Sequence, residues 1–337
     1  MIEGATGDAA GGGAGEGTGR AEAAAPPARS AAVFDPDCAV IAEGGGQRGI
    51  YTAGVLDAFQ EARFDPFGQA WGVSAGAQNL LAFCLRRRGY ARRAIAELTA
   101  ADDFYVPYRW VGAKSVIDLD GYFEHTLTHP EYLLAYADLP RFAGGRRIVF
   151  VATDRDSLEP RYLEPGPDDA LACMKASSAV PLLYRSGVAL GGEVLIDGGV
   201  ADPIPIVRAL ESGARRVLVV RTTSPAADAS SWSGRLARFR RAGALPATVE
   251  RLLERHERAH ARAVEALAAP PAGVELVQVA PSRPLESRVF GSRSEALARD
   301  YATGLADGAR AAAELAPWSR GASAVRPADE AASHARA

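Results

Sequence analysis

The sequence predicts an α/β domain: a central, mostly parallel β-sheet flanked by helices on both faces. Three observations predict it. Short, continuously apolar segments recur along the chain, separated by stretches of helical periodicity, which is the pattern of strands buried on both faces. Three glycine-bearing segments each come directly after such a strand, and open α/β sheets place their ligands at strand carboxyl ends. With 48% hydrophobic and 23% charged residues, the 337-residue chain has ample material for a large core.

Residues 1–34 are mostly Gly, Ala, Glu and Thr and cannot bury enough apolar surface to offset ordering entropy, so a disordered low-complexity extension is expected. Ala39-Val40-Ile41-Ala42 reads as a buried strand running into Gly44-Gly45-Gly46-Gln47-Arg48-Gly49, then a helix carrying Ile50, Val55, Leu56 and Phe59. Ala70-Trp71-Gly72-Val73 is a second strand, ending at Ser74, with a helix bearing Leu80, Leu81 and Leu85 after it. The 100–140 stretch is poorly patterned. Further strands are read at Arg147–Ala152, at Glu193–Ile196 ending on Asp197, at Arg216–Val220 and at Val274–Val279. A helical stripe of Val249, Leu252, Leu253, His256, His260, Ala263, Val264 and Leu267 lies between the last two. Residues 319–337 resemble the N-terminal stretch in composition, which leaves 35–318 as one expected domain.

Bulk properties exclude several classes. A net charge of −3 carries no nucleic-acid footprint. Cys38, Cys84 and Cys173 are too widely spaced for a disulfide framework or zinc knuckle and read as buried thiols in a reducing compartment. There is no apolar run of 18 residues and no signal-like h-region near the start, so a cytoplasmic protein is expected.

Gly72-Val73-Ser74-Ala75-Gly76 has the G-x-S-x-G form of a nucleophile elbow, in which flanking glycines allow a tight strand-to-helix turn that exposes the serine at a helix N-terminus. The alternative is a glycine-rich turn that happens to contain serine. The glycine loop at 44–49 fits a dinucleotide G-x-G-x-x-G. The acidic residue expected about 20 positions on is missing, since Asp65 sits in a Phe-Asp-Pro-Phe turn. Its other reading is an oxyanion hole, with the amides of Gly45, Gly46 and Ala75 aimed at a tetrahedral intermediate and Arg48 adding positive charge. A base is harder to find. His125, His129, His256, His260 and His334 include none in a short loop just after a predicted strand. Asp197, with Gly198-Gly199 after it, could accept directly from serine if desolvation raised its basicity; alternatively Asp197-Gly198 is a β-turn.

Taken together, these segments resemble patatin-like phospholipases. Ala176-Ser177-Ser178-Ala179-Val180-Pro181 looks like that family's A-S-x-A-x-P segment, and Asp202-Pro203-Ile204-Pro205 resembles the family's segment just beyond the aspartate. The stretch from Pro284 through Asp300-Tyr301 and Gly304 looks like a bacterial branch, so the resemblance covers roughly residues 38–312. It implies a three-layer patatin-like fold and a Ser-Asp dyad acyl hydrolase acting on lipid esters, with no metal or other cofactor. Ser74 would be the nucleophile and Asp197 the base. Gly45 and Gly46 would supply the oxyanion hole, with Arg48 near the phosphate or acyl oxygen. The rivals are an esterase or thioesterase on soluble acyl substrates and a catalytically silent lipid-binding module. Oligomeric state is left open.

Two further segments invite a functional reading. His256-Glu257-Arg258-Ala259-His260 reads H-E-x-x-H, the zinc pattern, but no third ligand comes after it in a suitable context, and a helix rich in Arg and Glu produces such a match by chance. The basic, aromatic-bearing stretch 230–241 and the cluster Arg86-Arg87-Arg88 with Arg92-Arg93 have a sharp reading, peripheral contact with anionic membrane, and a plainer one, solvated helical faces.

Overall fold

Every strand expected from the sequence is present, and all join one sheet. The computed structural model describes residues 34–112, 115–224 and 246–322; the basic stretch 230–241, residues 1–33 and residues 323–337 lie outside them, while 319–322, expected to be disordered, end a short helix. The strands are β1 (Asp35–Ala42), β2 (Phe67–Val73), β3 (Arg147–Asp154), β4 (Pro160–Leu163), β5 (Val188–Leu190), β6 (Glu193–Asp197), β7 (Arg216–Val220) and β8 (Glu275–Val279). The α-helices are α1 (Gly49–Glu61), α2 (Ala75–Cys84), α3 (Tyr90–Arg93), α4 (Leu119–Thr128), α5 (Leu139–Ala143), α6 (Ala170–Ser177), α7 (Ile206–Glu211), α8 (Ala247–Ala268), α9 (Ser294–Glu314) and α10 (Ala316–Ala322).

The sheet runs β5-β6-β3-β2-β1-β7-β8, with β4 also on β3. The pairs β1–β2, β1–β7, β2–β3 and β7–β8 are parallel; β3–β4, β3–β6 and β5–β6 are antiparallel. Alternation along β1 explains the layers. Cys38, Val40 and Ala42 enter one core with α1 and α2, while Ala39 and Ile41 enter a second with Trp71, α7 and α8. The result is a helix–sheet–helix sandwich, the α/β class expected.

The sheet departs from a simple parallel arrangement at β3, and the departure positions the site. Val151 pairs with Val73 and with Tyr162, Ala152 with Arg161 and Asp197, and Thr153 with Pro160 and Ile196. A residue pairs once per edge, so β4 holds one edge of β3 while β2 and β6 share the other. They run toward each other and meet between Val151 and Ala152. Ser74, just past Val73, therefore arrives where Asp197 ends. Asp197 reaches the rim on an antiparallel strand that begins beyond it.

The long helix α9 packs against α1. Tyr51 of α1 donates to Asp307 at 3.1 Å, and Tyr301 donates to Asp57 at 2.8 Å. Four arginines of the cluster flagged in the sequence make contacts while staying exposed. Arg86 and Arg146 pair with Asp65, Arg88 with Glu61, Arg92 lies over the Tyr301 ring and Arg93 donates to the Glu131 carbonyl. Asp65, the weak dinucleotide candidate, is thus occupied by two arginines. Cys38, Cys84 and Cys173 are free and buried.

Candidate active site

The geometry begins with a strained serine. Ser74 sits at φ 53°, ψ −125°, a region that L-residues rarely occupy, between the end of β2 and the first turn of α2. The turn requires glycine behind it: a Cβ on Gly76 would stand 2.3 Å from the Ala42 carbonyl oxygen, because α2 starts hard against the end of β1. The strain is held by Ser177, at the end of α6. The Ser74 amide donates to Ser177 Oγ at 2.9 Å, and Ser177 Oγ donates to the Val151 carbonyl at 2.6 Å, the backbone position where β2 and β6 meet.

Asp197 is held just as firmly. Its amide donates to the Ala179 carbonyl at 2.9 Å, and its own carbonyl accepts from Thr153 Oγ1 at 2.9 Å. The Gly199 amide closes on Asp197 Oδ1 at 2.7 Å. The Ser74 hydroxyl also acts on this carboxyl, favouring its ionised form. Both side chains are almost inaccessible, with Ser74 8% and Asp197 7% exposed. Burial pushes the Asp197 carboxyl up to about 6, against the opposing pull of the Ser74 and Gly199 hydrogen bonds. A carboxylate tuned to that range and facing a serine hydroxyl is chemically able to take its proton.

The glycine loop lies alongside. Gly44 packs against Ser74, so that a Cβ there would be 3.3 Å from the serine's own Cβ. Thr222 fixes the loop by donating to the Gly44 carbonyl at 2.7 Å, and buried Glu43 is bound by Arg221 and the Thr222 amide. The amides of Gly45, Gly46 and Ala75 have no acceptor among the described residues. Arg48 is not a surface arginine: burial lowers its pKa, partly offset by Glu43, and its Nε is buried with no hydrogen-bond partner among the described residues.

The structure thus brings together Ser74, Asp197 and the glycine loop. Sequence reasoning missed the supports, Thr153 and the structural role of Ser177. The A-S-x-A-x-P segment was the available signal for Ser177; nothing in the sequence marks Thr153. The first histidine of H-E-x-x-H reaches the base loop: His256 Nδ1 lies 2.6 Å from the Gly199 carbonyl, and His256 and His260 stand with ring centroids 5.9 Å apart. Among the described residues no group of three or more His, Cys, Asp or Glu is arranged to hold a metal ion.

Residues 40–210, about half of the chain, match the family model for patatin-like phospholipase. The chain belongs to the patatin-like phospholipase family. Residues 246–320 match a second family model, described as a domain of unknown function (DUF6363). The uncharacterized protein YjjU of Escherichia coli K12 is 39% identical over 268 residues, covering 79% of this chain and 74% of that one. Among solved structures, VipD from Legionella pneumophila aligns at 15% identity and a TM-score of 0.41, over 82% of this chain and 66% of that one. Human GIVD cytosolic phospholipase A2, solved with methyl gamma-linolenyl fluorophosphonate, aligns at 12% identity and a TM-score of 0.45, over 85% and 59%. The aligned part is less than two thirds of each of these two solved chains. Among the described residues, no helix is long and apolar enough to cross a membrane.

Proposed function

We propose that this patatin-like protein is a serine lipid acyl hydrolase, a carboxylic ester hydrolase with Ser74 as nucleophile and Asp197 as base. The observation that carries the reading is the strained Ser74 turn delivered by the β2–β6 junction beside the buried Asp197 carboxyl. Asp197 takes the Ser74 proton as Oγ attacks the ester carbonyl. The amides of Gly45, Gly46 and Ala75 receive the oxyanion, each donor contributing about 3 kcal/mol to the transition state. The protonated Asp197 returns its proton to the leaving alcohol. Water, deprotonated by the same aspartate, then attacks the acyl-enzyme, and Asp197 gives that proton to Ser74 Oγ as the acid leaves. Arg48 supplies positive charge for a phosphate or acyl oxygen. Residues 35–318 are read as a single acyl hydrolase unit. Lipid is the substrate class that family membership supports; peripheral contact with a membrane would bring the enzyme to it.

The test is release of fatty acid from phospholipid vesicles beside turnover of a short-chain p-nitrophenyl ester. Hydrolysis of both supports a lipid acyl hydrolase. Turnover of the soluble ester alone supports the esterase reading, and vesicle binding without any turnover supports a silent module.

The base sets a pH dependence. Because Asp197 must be ionised to accept a proton, kcat/KM is expected to fall as pH drops through about 6 and to be level above it. Asp202 is pushed to about the same range by burial, against the hydrogen bond from Tyr162. Asp202→Asn is therefore the control, and an acidic limb that survives it belongs to Asp197. A smaller effect is expected at Ser177. Ser177→Ala leaves the Ser74 amide unheld and should lower kcat about tenfold with little change in KM, measured by steady-state kinetics.

A further inference from the structure

We infer that residues 246–320, the region matching a family of unknown function, clamp the base loop and the glycine loop of the proposed active site, with His256 as the positioning residue on the base side. This inference rests on the Ser74–Asp197 reading above.

Two separate contacts carry it. The first comes from α8. His256 Nδ1 is 2.6 Å from the Gly199 carbonyl oxygen, and since a carbonyl only accepts, Nδ1 carries the proton and donates. The amide of that same glycine donates to Asp197 Oδ1 at 2.7 Å. One residue is thus held at its carbonyl by α8 and holds the carboxylate through its amide. The Gly199 carbonyl and amide lie on successive peptide planes of the short turn Gly198–Val200, so the contact from α8 bears on the turn that carries the N–H. The neighbouring Arg255 secures the helix by donating to the Leu158 carbonyl at 2.9 Å. Burial lowers the imidazole's pKa, opposed by its hydrogen bond to Gly199. The titratable groups around it are His260 and Glu257 on its own helix and Glu43 at the end of β1.

The second contact comes from the segment ahead of α9. The Val289 carbonyl accepts from the Gln47 amide at 2.9 Å, and the Ser292 amide donates to Gln47 Oε1 at 2.7 Å. The other end of that carboxamide donates to the Thr99 carbonyl at 2.9 Å. Gly46, at φ +55°, lies so close to Val289 that a Cβ would stand 2.3 Å from its carbonyl oxygen. Gly46 is one of the proposed oxyanion donors. Both loops are rich in glycine, so their productive geometry is not self-enforcing, and small displacements of reacting groups are known to cost large factors in rate. The region of unknown function meets each loop at the residue beside the chemistry.

The experiment uses the full chain. His256→Ala is expected to lower kcat about tenfold while KM stays within about twofold, and to move the acidic limb of kcat/KM to higher pH as the Gly199 hydrogen bond to Asp197 loosens. His256→Asn, whose carboxamide N–H can stand in for Nδ1–H, should recover most of the loss. Gln47→Leu, similar in size, should lower kcat from the other side. Urea midpoints confirm that each variant is folded. A folded His256→Ala with wild-type kcat and an unmoved limb, or an Asn variant no better than Ala, overturns the clamp. Ser74→Ala run alongside separates the two failures: turnover surviving there sinks the dyad reading, whereas turnover lost there but intact in His256→Ala sinks only the clamp. One readout is independent of turnover. The Asp197 carboxyl, titrated by carbon-13 NMR, should ionise at higher pH in His256→Ala; an unchanged titration also overturns the proposal.

Discussion

Asp197→Asn is expected to silence turnover and, at the same time, to stabilise the fold. Losing the base should lower kcat by about 10³-fold, the range general-base catalysis supplies. Stability moves the other way because the buried carboxyl is held at about 6, above its ordinary 3.8. Below about pH 4 folded and unfolded chains are both protonated there, and the residue contributes no difference. As pH rises from about 4 to 6 the unfolded chain gives up its proton first. Above about 6 the folded protein must harbour a buried carboxylate, which costs roughly 3 kcal/mol. Asparagine is never charged and retains an acceptor for the Gly199 amide. Urea unfolding should therefore find Asp197→Asn more stable than wild type at pH 8, by up to that amount, and equal to it near pH 4. A stability difference that did not change with pH would mean that Asp197 is not desolvated as described.

Gly198→Ala is expected to damage fold and activity together. A Cβ at this position would stand 2.1 Å from the Val151 carbonyl oxygen, the backbone atom that also accepts from Ser177. Neither partner is a flexible side-chain end: one is the turn just beyond Asp197, the other a central strand. The turn must lift away, breaking the meeting of β2 and β6 on β3, at a cost of about 3 kcal/mol. Activity should fall further than stability accounts for, because the same displacement carries Asp197 from Ser74. Gly191→Ala is the comparison. It sits at φ +62° with nothing within 4 Å, so only the left-handed backbone penalty of about 1 kcal/mol applies. Urea midpoints of the two variants close together would contradict this account of the junction.

The residues that declare themselves in the sequence are those whose chemistry requires a local pattern. Apolar runs exposed the central strands, because a strand covered on both faces has no choice of composition. Gly72-Val73-Ser74-Ala75-Gly76 was legible because no other residue type fits the close approach behind the serine. β4 and β5 were not read, since short antiparallel additions at half-buried positions, such as Pro160–Leu163 and Val188–Leu190, need no continuous apolar run. The rim position of Asp197 came from its strand ending there; the antiparallel course of β6 was not legible, because pairing direction is set by contacts remote in sequence. Thr153, Ser177 and His256 escaped for the same reason. Their supporting hydrogen bonds reach across 44, 103 and 57 residues of chain, and any hydroxyl or imidazole looks the same from its sequence neighbours. His256 is the sharpest case: its spacing to His260 suggested a metal, and its hydrogen-bond partner is a glycine carbonyl.

The most direct test of the central claim is to react the folded protein with an alkyl fluorophosphonate and locate the adduct by mass spectrometry. The account predicts a single adduct on Ser74, with ester turnover lost in step with labelling, slow labelling in Asp197→Asn and none in Ser74→Ala. Labelling or ester turnover that persists in Ser74→Ala would place the nucleophile elsewhere and contradict it.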